Sequence, residues 1–168
     1  NNESCWVFQS PSITFAISDN TVGFGTLSSS AFRCATGDGT GSASEVEAHN
    51  MTVNTNASSG YSLSVNGTTL TSGGNTIDAI GSTNTASSVG TEQFGLRMTA
   101  TGGVGSVSSP YAASGFAFDT GSLPDEVASA TSGNGVTTTY SVRYLGNISG
   151  ATEPGSYTST LTYIVTGN

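Results

Sequence analysis

Apolar residues in this chain recur at every second position, in short runs cut by Gly, Asn, Asp and Ser. That period of two is the signature of strands with one buried face. Ile13, Phe15 and Ile17 share one face over 12–18, and Met51 and Val53 do so over 46–55. Tyr61, Leu63 and Val65 follow, then Phe94, Leu96 and Met98 over 93–100, and a short piece at Gly115–Phe118. The two clearest runs come last: Val136, Thr138, Tyr140, Val142 and Tyr144, then Tyr157, Ser159, Leu161, Tyr163 and Val165. No helical period is sustained anywhere. About nine or ten short strands of this kind predict an all-β protein, a single Greek-key β-sandwich over 1–168.

The connections carry their own signals. Asn56–Gly60 reads as a turn, and Asn66-Gly67 as a hairpin with Thr68–Thr71 as its return strand. Thr21–Leu27 reads as a strand with Val22 and Phe24 inward, its opposing glycines marking a close backbone approach or a bulge. Segments 36–44, 72–91 and 101–115 read as loops. Leu123–Val127 reads as a turn or one helical turn, and Glu153-Pro154-Gly155 as a tight turn between the last two strands.

Charge narrows the partners. Eleven acidic residues face three basic ones, Arg33, Arg97 and Arg143, and the net charge is −8 with no lysine at all. Nucleic acid is excluded, since phosphate binding needs a basic patch, and an anionic membrane surface is excluded for the same reason. No stretch approaches the roughly 20 apolar residues of a membrane span. The chain opens Asn1-Asn2-Glu3-Ser4 without methionine, which reads as a processed product and predicts a secreted, extracellular or cell-surface protein. Cys5 and Cys34 are the two cysteines. In a secreted chain they are most simply a disulfide, closing a loop of about 30 residues worth roughly 3–4 kcal/mol; two buried thiols are the alternative.

Candidate chemistry is sparse. A nucleophilic triad would have to use His49, the sole histidine, in Glu47-Ala48-His49-Asn50, where it reads as a polar surface residue at a strand edge. The acids are dispersed, and Asp38 with Glu45 and Glu47, or Asp119 with Asp125 and Glu126, read as solvated turn carboxylates rather than calcium ligands. No catalytic residue, metal ligand or cofactor is assigned, and the chain is not read as an enzyme. Asn-x-Ser/Thr sequons stand at Asn2, Asn50, Asn56, Asn66 and Asn147. Without lysine, these residues can form neither Lys-Asn isopeptide staples nor a sortase-type link through a lysine amine.

Val22-Gly23-Phe24-Gly25-Thr26-Leu27 resembles the opening strand of several bacterial surface sandwiches. Pro154-Gly155-Ser156-Tyr157-Thr158-Ser159-Thr160-Leu161-Thr162-Tyr163 resembles the closing strand of spore-coat U-type pilin-like domains and of WxL-type wall-associated domains. The Trp-x-Leu motifs of the latter are missing, the only tryptophan being followed by Val7 and Phe8. The resemblance implies an Ig-like or pilin-like surface module, of a kind that in some cases assembles into fibres by exchanging strands.

The expected function is a structural one: the subunit of an extracellular filament, pilus or surface layer, built without covalent links by β-strand addition between copies. Two segments are candidate inter-subunit strands. One is N-terminal, within 1–18, comprising Trp6-Val7-Phe8 with Ile13, Phe15 and Ile17; the other carries Tyr157, Leu161, Tyr163 and Val165. The alternative is an adhesin or carbohydrate-binding sandwich whose partners are surface glycans, with Trp6, Tyr61, Tyr111, Tyr144 and Tyr157 as a stacking face.

Overall fold

The computed structural model describes residues 9–168, and among them there is no helix. Thirteen strand segments are present: β1 Ile13–Ile17, β2 Arg33–Cys34, β3 His49–Thr55, β4 Tyr61–Gly67, β5 Thr71–Ser72, β6 Asn75–Thr76, β7 Gly81–Thr85, β8 Gln93–Gly102, β9 Ser106–Val107, β10 Phe116–Phe118, β11 Asp125–Ala130, β12 Thr138–Asn147 and β13 Leu161–Gly167. The fold is an all-β sandwich of antiparallel sheets. Among the described residues no helix is long and apolar enough to cross a membrane.

The larger sheet runs β1-β3-β12-β8-β10-β7, with β2 also paired to β12. The smaller runs β13-β4-β11-β9. β12 is the spine of the larger sheet. One of its edges is paired along its whole length with β8, from Thr138↔Gly102 to Asn147↔Gln93. The other edge is shared, β3 taking Thr138–Val142 and β2 taking Leu145 and Gly146.

Alternation decides what is buried. Met51, Val53, Tyr140, Val142, Leu96 and Met98 point from the larger sheet to Tyr61, Leu63, Val65 and Val127 of the smaller, in one apolar cluster. The outer face of the larger sheet holds a second cluster of Cys34, Phe116 and Leu145, with Phe32, Val46 and Ile80 packed on it. Two tyrosine pairs tie the layers together: the Tyr61 and Tyr140 hydroxyls lie 2.6 Å apart, and so do those of Tyr144 and Tyr163. Buried hydroxyls need partners, and each of these finds one across the core.

Four local expectations are corrected. Asn66-Gly67 makes no hairpin with 68–71, because both edges of β4 are taken by distant strands, β11 and β13. Segment 125–130 is a strand, held on β4 with a bulge between Glu126 and Ala128. Residues 21–27 form no regular strand; only the bridges Gly23↔Thr36 and Phe24↔Thr40 hold them. The glycines there do mark a close backbone approach: a Cβ on Gly23 would lie 2.9 Å from the Gly39 backbone, and Gly25 has φ 63° with the Thr40 carbonyl against it. The last two strands lie in different sheets, so 148–160 is a crossing rather than a tight turn.

Candidate functional site

Both candidate inter-subunit strands end up as sheet edges, and they face each other. β1 pairs with β3 alone, in the register Ile13↔Thr55, Phe15↔Val53 and Ile17↔Met51. β13 pairs with β4 alone, with Leu161↔Gly67, Tyr163↔Val65 and Val165↔Leu63. Among the described residues, each strand has one edge paired within its own chain and one edge free. Their free edges lie on the same side of the sandwich. Ile17 lines a cleft with Leu161 and Tyr163, while Ile13 lines a small cavity with Gly167 and Asn168 at the other end. Among the described residues, the gap between them is a seam that no strand fills.

The apolar residues along this seam face inward but are not covered. Thr55, Val53 and Met51 are 3%, 1% and 0% exposed, yet their cross-strand partners Ile13, Phe15 and Ile17 are 39%, 38% and 36% exposed. The alternation built a core-facing surface, and among the described residues no strand of the opposite sheet reaches over it. Leu161, Tyr163 and Val165 are half-buried against the core from the other side. Tyr157 lies outside β13, half-buried, with its hydroxyl donating to the Glu153 carbonyl at 2.8 Å.

At its Ile17 end the seam widens into a cleft of about 1000 Å³. The two stretches that resemble bacterial surface sandwiches form much of its walls, Val22–Leu27 on one side and Pro154–Tyr163 on the other. Phe24, Phe94 and Ile148 supply apolar lining, Asp19 and Glu153 contribute acids, and no arginine lines it.

His49 also lines this cleft, which corrects its reading as a surface residue: it is 5% exposed. Its Nε2 lies 2.9 Å from the Tyr144 hydroxyl, which in turn lies 2.6 Å from that of Tyr163. His49 Nδ1 is buried without a partner. Burial pushes the imidazole below its ordinary pKa, against the pull of Asp19 and Glu47, so the ring is held neutral. Burial likewise raises both tyrosine pKa values, and the chain of hydroxyls stays protonated. Period-two reading placed His49 on a strand, but nothing local shows that its face of the strand meets a partner 95 residues on.

The other singled-out side chains are engaged elsewhere. Tyr61 and Tyr111 are 1% exposed and Tyr144 is 4%, so they form no stacking face on the surface. Asp38 accepts from Thr36 and Thr40, and these bonds lower its carboxyl to about 2. Asp119 accepts from Gly121 and Ser122, Asp125 from the Tyr111 hydroxyl, and Glu126 from Ser108. Glu45 sits between Arg97 and Arg143, and Glu47 accepts from Ser141. Among the described residues, no three acids, histidines or cysteines are placed to hold a metal. Asn147 is 1% exposed and donates to Ser87, Ser88 and Gln93, which closes that sequon in the folded chain. Cys34 is buried, its thiol raised to about 11 by burial and by Glu45. Cys5, the expected partner of Cys34, lies outside the described residues, as do Trp6 and the Asn2 sequon.

Compared with family models, with curated proteins and with solved structures, the chain matches none.

Proposed function

We propose that this chain is a structural subunit of an extracellular filament, pilus or surface layer, assembled without covalent links by β-strand addition. One observation carries the reading: an inward-facing row, Ile13, Phe15 and Ile17, is more than a third exposed beside buried partners, on a strand whose outer edge is unpaired among the described residues. A strand laid along that edge would satisfy the unpaired backbone groups and cover the row at once. Exposed free edges without lysine or other charges are surfaces that monomeric proteins avoid. The composition supports secretion, through its hydroxyl- and amide-rich, lysine-free surface.

Electron microscopy of native material in negative stain, with SDS resistance checked alongside, tests the proposal. Regular fibres that release monomer only on boiling are expected, and Phe15→Lys, which places a charge on the seam, is expected to abolish them without unfolding the monomer. A chain that stays monomeric when concentrated overturns the reading.

The cleft favours a second reading, a glycan-binding module. Tyr157, half-buried, brings a ring face to an open space free of arginine, which suits an uncharged ligand. Binding of the monomer to a neutral glycan on an array, lost in Tyr157→Ala, would support it.

A further inference from the structure

We infer that the ligand of the cleft is an oligosaccharide of amino sugars whose amines are free and protonated; the inference rests on the glycan-binding reading above and departs from it in the charge of the ligand. Among the described residues, Asp19 and Glu153 are the charged side chains that line the cleft. The three arginines are held outside it. Arg97 and Arg143 pair with Glu45, and Arg33 donates from Nε to the Thr26 carbonyl at 3.2 Å without lining the space. His49, which does line it, is neutral because it is buried. A cleft with charge of one sign and apolar walls focuses the field and concentrates counter-ions. The walls here are Phe24, Phe94, Ile148 and Leu161, and the counter-ion of two carboxylates is a cation. An acidic sugar is repelled from the same space, and a neutral one gains nothing from the charge.

The acid on one wall stands beside a ring. Tyr157 is half-buried, and its hydroxyl donates to the Glu153 carbonyl at 2.8 Å. That bond closes the turn through Pro154 and Gly155, so the ring stays next to the residue that bears the carboxylate. Glu153 is itself exposed, and its carboxylate has no ion pair among the described residues. Asp19 belongs to the other wall, ahead of Val22–Leu27. Its Oδ1 accepts from the Thr21 N–H at 2.9 Å, and its charge is felt by His49.

The rest of the cleft fits a sugar body. Its volume of about 1000 Å³ lies at the top of the range for pockets that hold a drug-sized ligand, which gives room for an oligomer. Exposed Asn20, Ser156 and Thr158 line it and offer hydrogen bonds to hydroxyls. An ammonium near Tyr157 is attracted by the ring face as well as by the acid. His49 is 5% exposed and its Nδ1 has no partner among the described residues. Buried polar atoms are normally paired, and one left over beside a cleft marks a position that a bound hydroxyl can complete.

Calorimetric titration of the full chain with a glucosamine trimer and with its N-acetylated counterpart, in mildly acidic buffer at low salt, tests the inference. Both sugars share the ring and most hydrogen-bonding groups, and only the first carries ammonium groups. Two partly exposed ion pairs should together give about a tenfold preference for the free amine. Added salt should shrink that preference, because such pairs are screened. Asp19→Asn combined with Glu153→Gln should abolish it and leave the weaker binding of the acetylated trimer unchanged. Thermal unfolding should also hold, since Glu153 is exposed and an asparagine at 19 still accepts from Thr21. Equal binding of the two trimers overturns this inference and leaves glycan binding standing. A preference that survives the double variant overturns it as well, by placing the amine away from these acids. So does displacement of the trimer by an equal concentration of a simple alkylammonium salt, because the sugar body then contributes nothing. Binding of neither trimer, with no neutral glycan bound on the array, overturns this inference and the glycan-binding reading together.

Discussion

The hydroxyls of Tyr144 and Tyr163 lie 2.6 Å apart, one on the larger sheet and one on the smaller, and they join the layers beside the open seam. Tyr144 also meets His49 Nε2 at 2.9 Å, so it is the middle of the chain and Tyr163 is its end. Tyr144→Phe leaves both neighbours short of a partner and should cost about 1–3 kcal/mol. Tyr163→Phe removes a single bond and should cost about 1 kcal/mol. Denaturant unfolding of both variants and of the double variant gives the coupling, which should be non-zero because the three groups act as one unit.

His49 gives stability a pH dependence of known sign. Its folded pKa lies below the ordinary 6.5, so between those values the unfolded chain binds a proton that the folded chain does not. Its contribution is fully present above 6.5 and is lost as pH falls through the depressed folded value. The thermal midpoint should therefore drop as pH is lowered below about 6.5. In His49→Gln that part of the slope should disappear, while the acid loss due to carboxylates remains.

Arg97 and Arg143 stand directly opposite each other on β8 and β12, a like-charge pair that would repel. Glu45 answers both, pairing with Arg97 and lying 3.4 Å from Arg143 Nε. Glu45→Gln should destabilise the fold by about 1 kcal/mol, the scale of partly exposed cross-strand charge effects. Added salt should recover most of that loss in thermal melts, because these side chains are screened.

Gly105 has no room for a side chain. A Cβ there would collide with the hydroxyls of both Tyr61 and Tyr140, which are hydrogen-bonded to each other in the core. Gly105→Ala should part that pair and cost about 1–3 kcal/mol, as overpacking does. In the Tyr140→Phe background the same substitution should cost less, which the two sets of unfolding curves will show.

The strands with strong alternation were legible in the sequence. β3, β4, β8, β12 and β13 appear where Met51, Leu63, Leu96, Tyr140 and Leu161 predict them. Partners were not legible, because apart from β5 and β6 the sheet neighbours are not consecutive in the chain. Asn66-Gly67 shows the cost of local reasoning: the dipeptide favours a hairpin, but β11 and β13 occupy both edges of β4. Val127 and Ala128 were obscured by Pro124 and the acids beside them, although their strand is buried. The seam was half legible. Alternation named Ile13, Phe15, Ile17, Leu161, Tyr163 and Val165, yet it could not show that the two rows face each other, nor that His49 stands behind them.

The place of β12 has a consequence for how the chain acquires its shape. It is the spine between β3 and β8, yet it spans Thr138–Asn147, near the end of the sequence. Until those residues emerge, β3 and β8 have no common neighbour, and β4 lacks β13 as well. A growing chain has no stable half to settle into. Closure joins segments far apart in sequence, so it is slow and comes all at once. The arrival of β12 is what turns β3 and β8 into parts of one sheet.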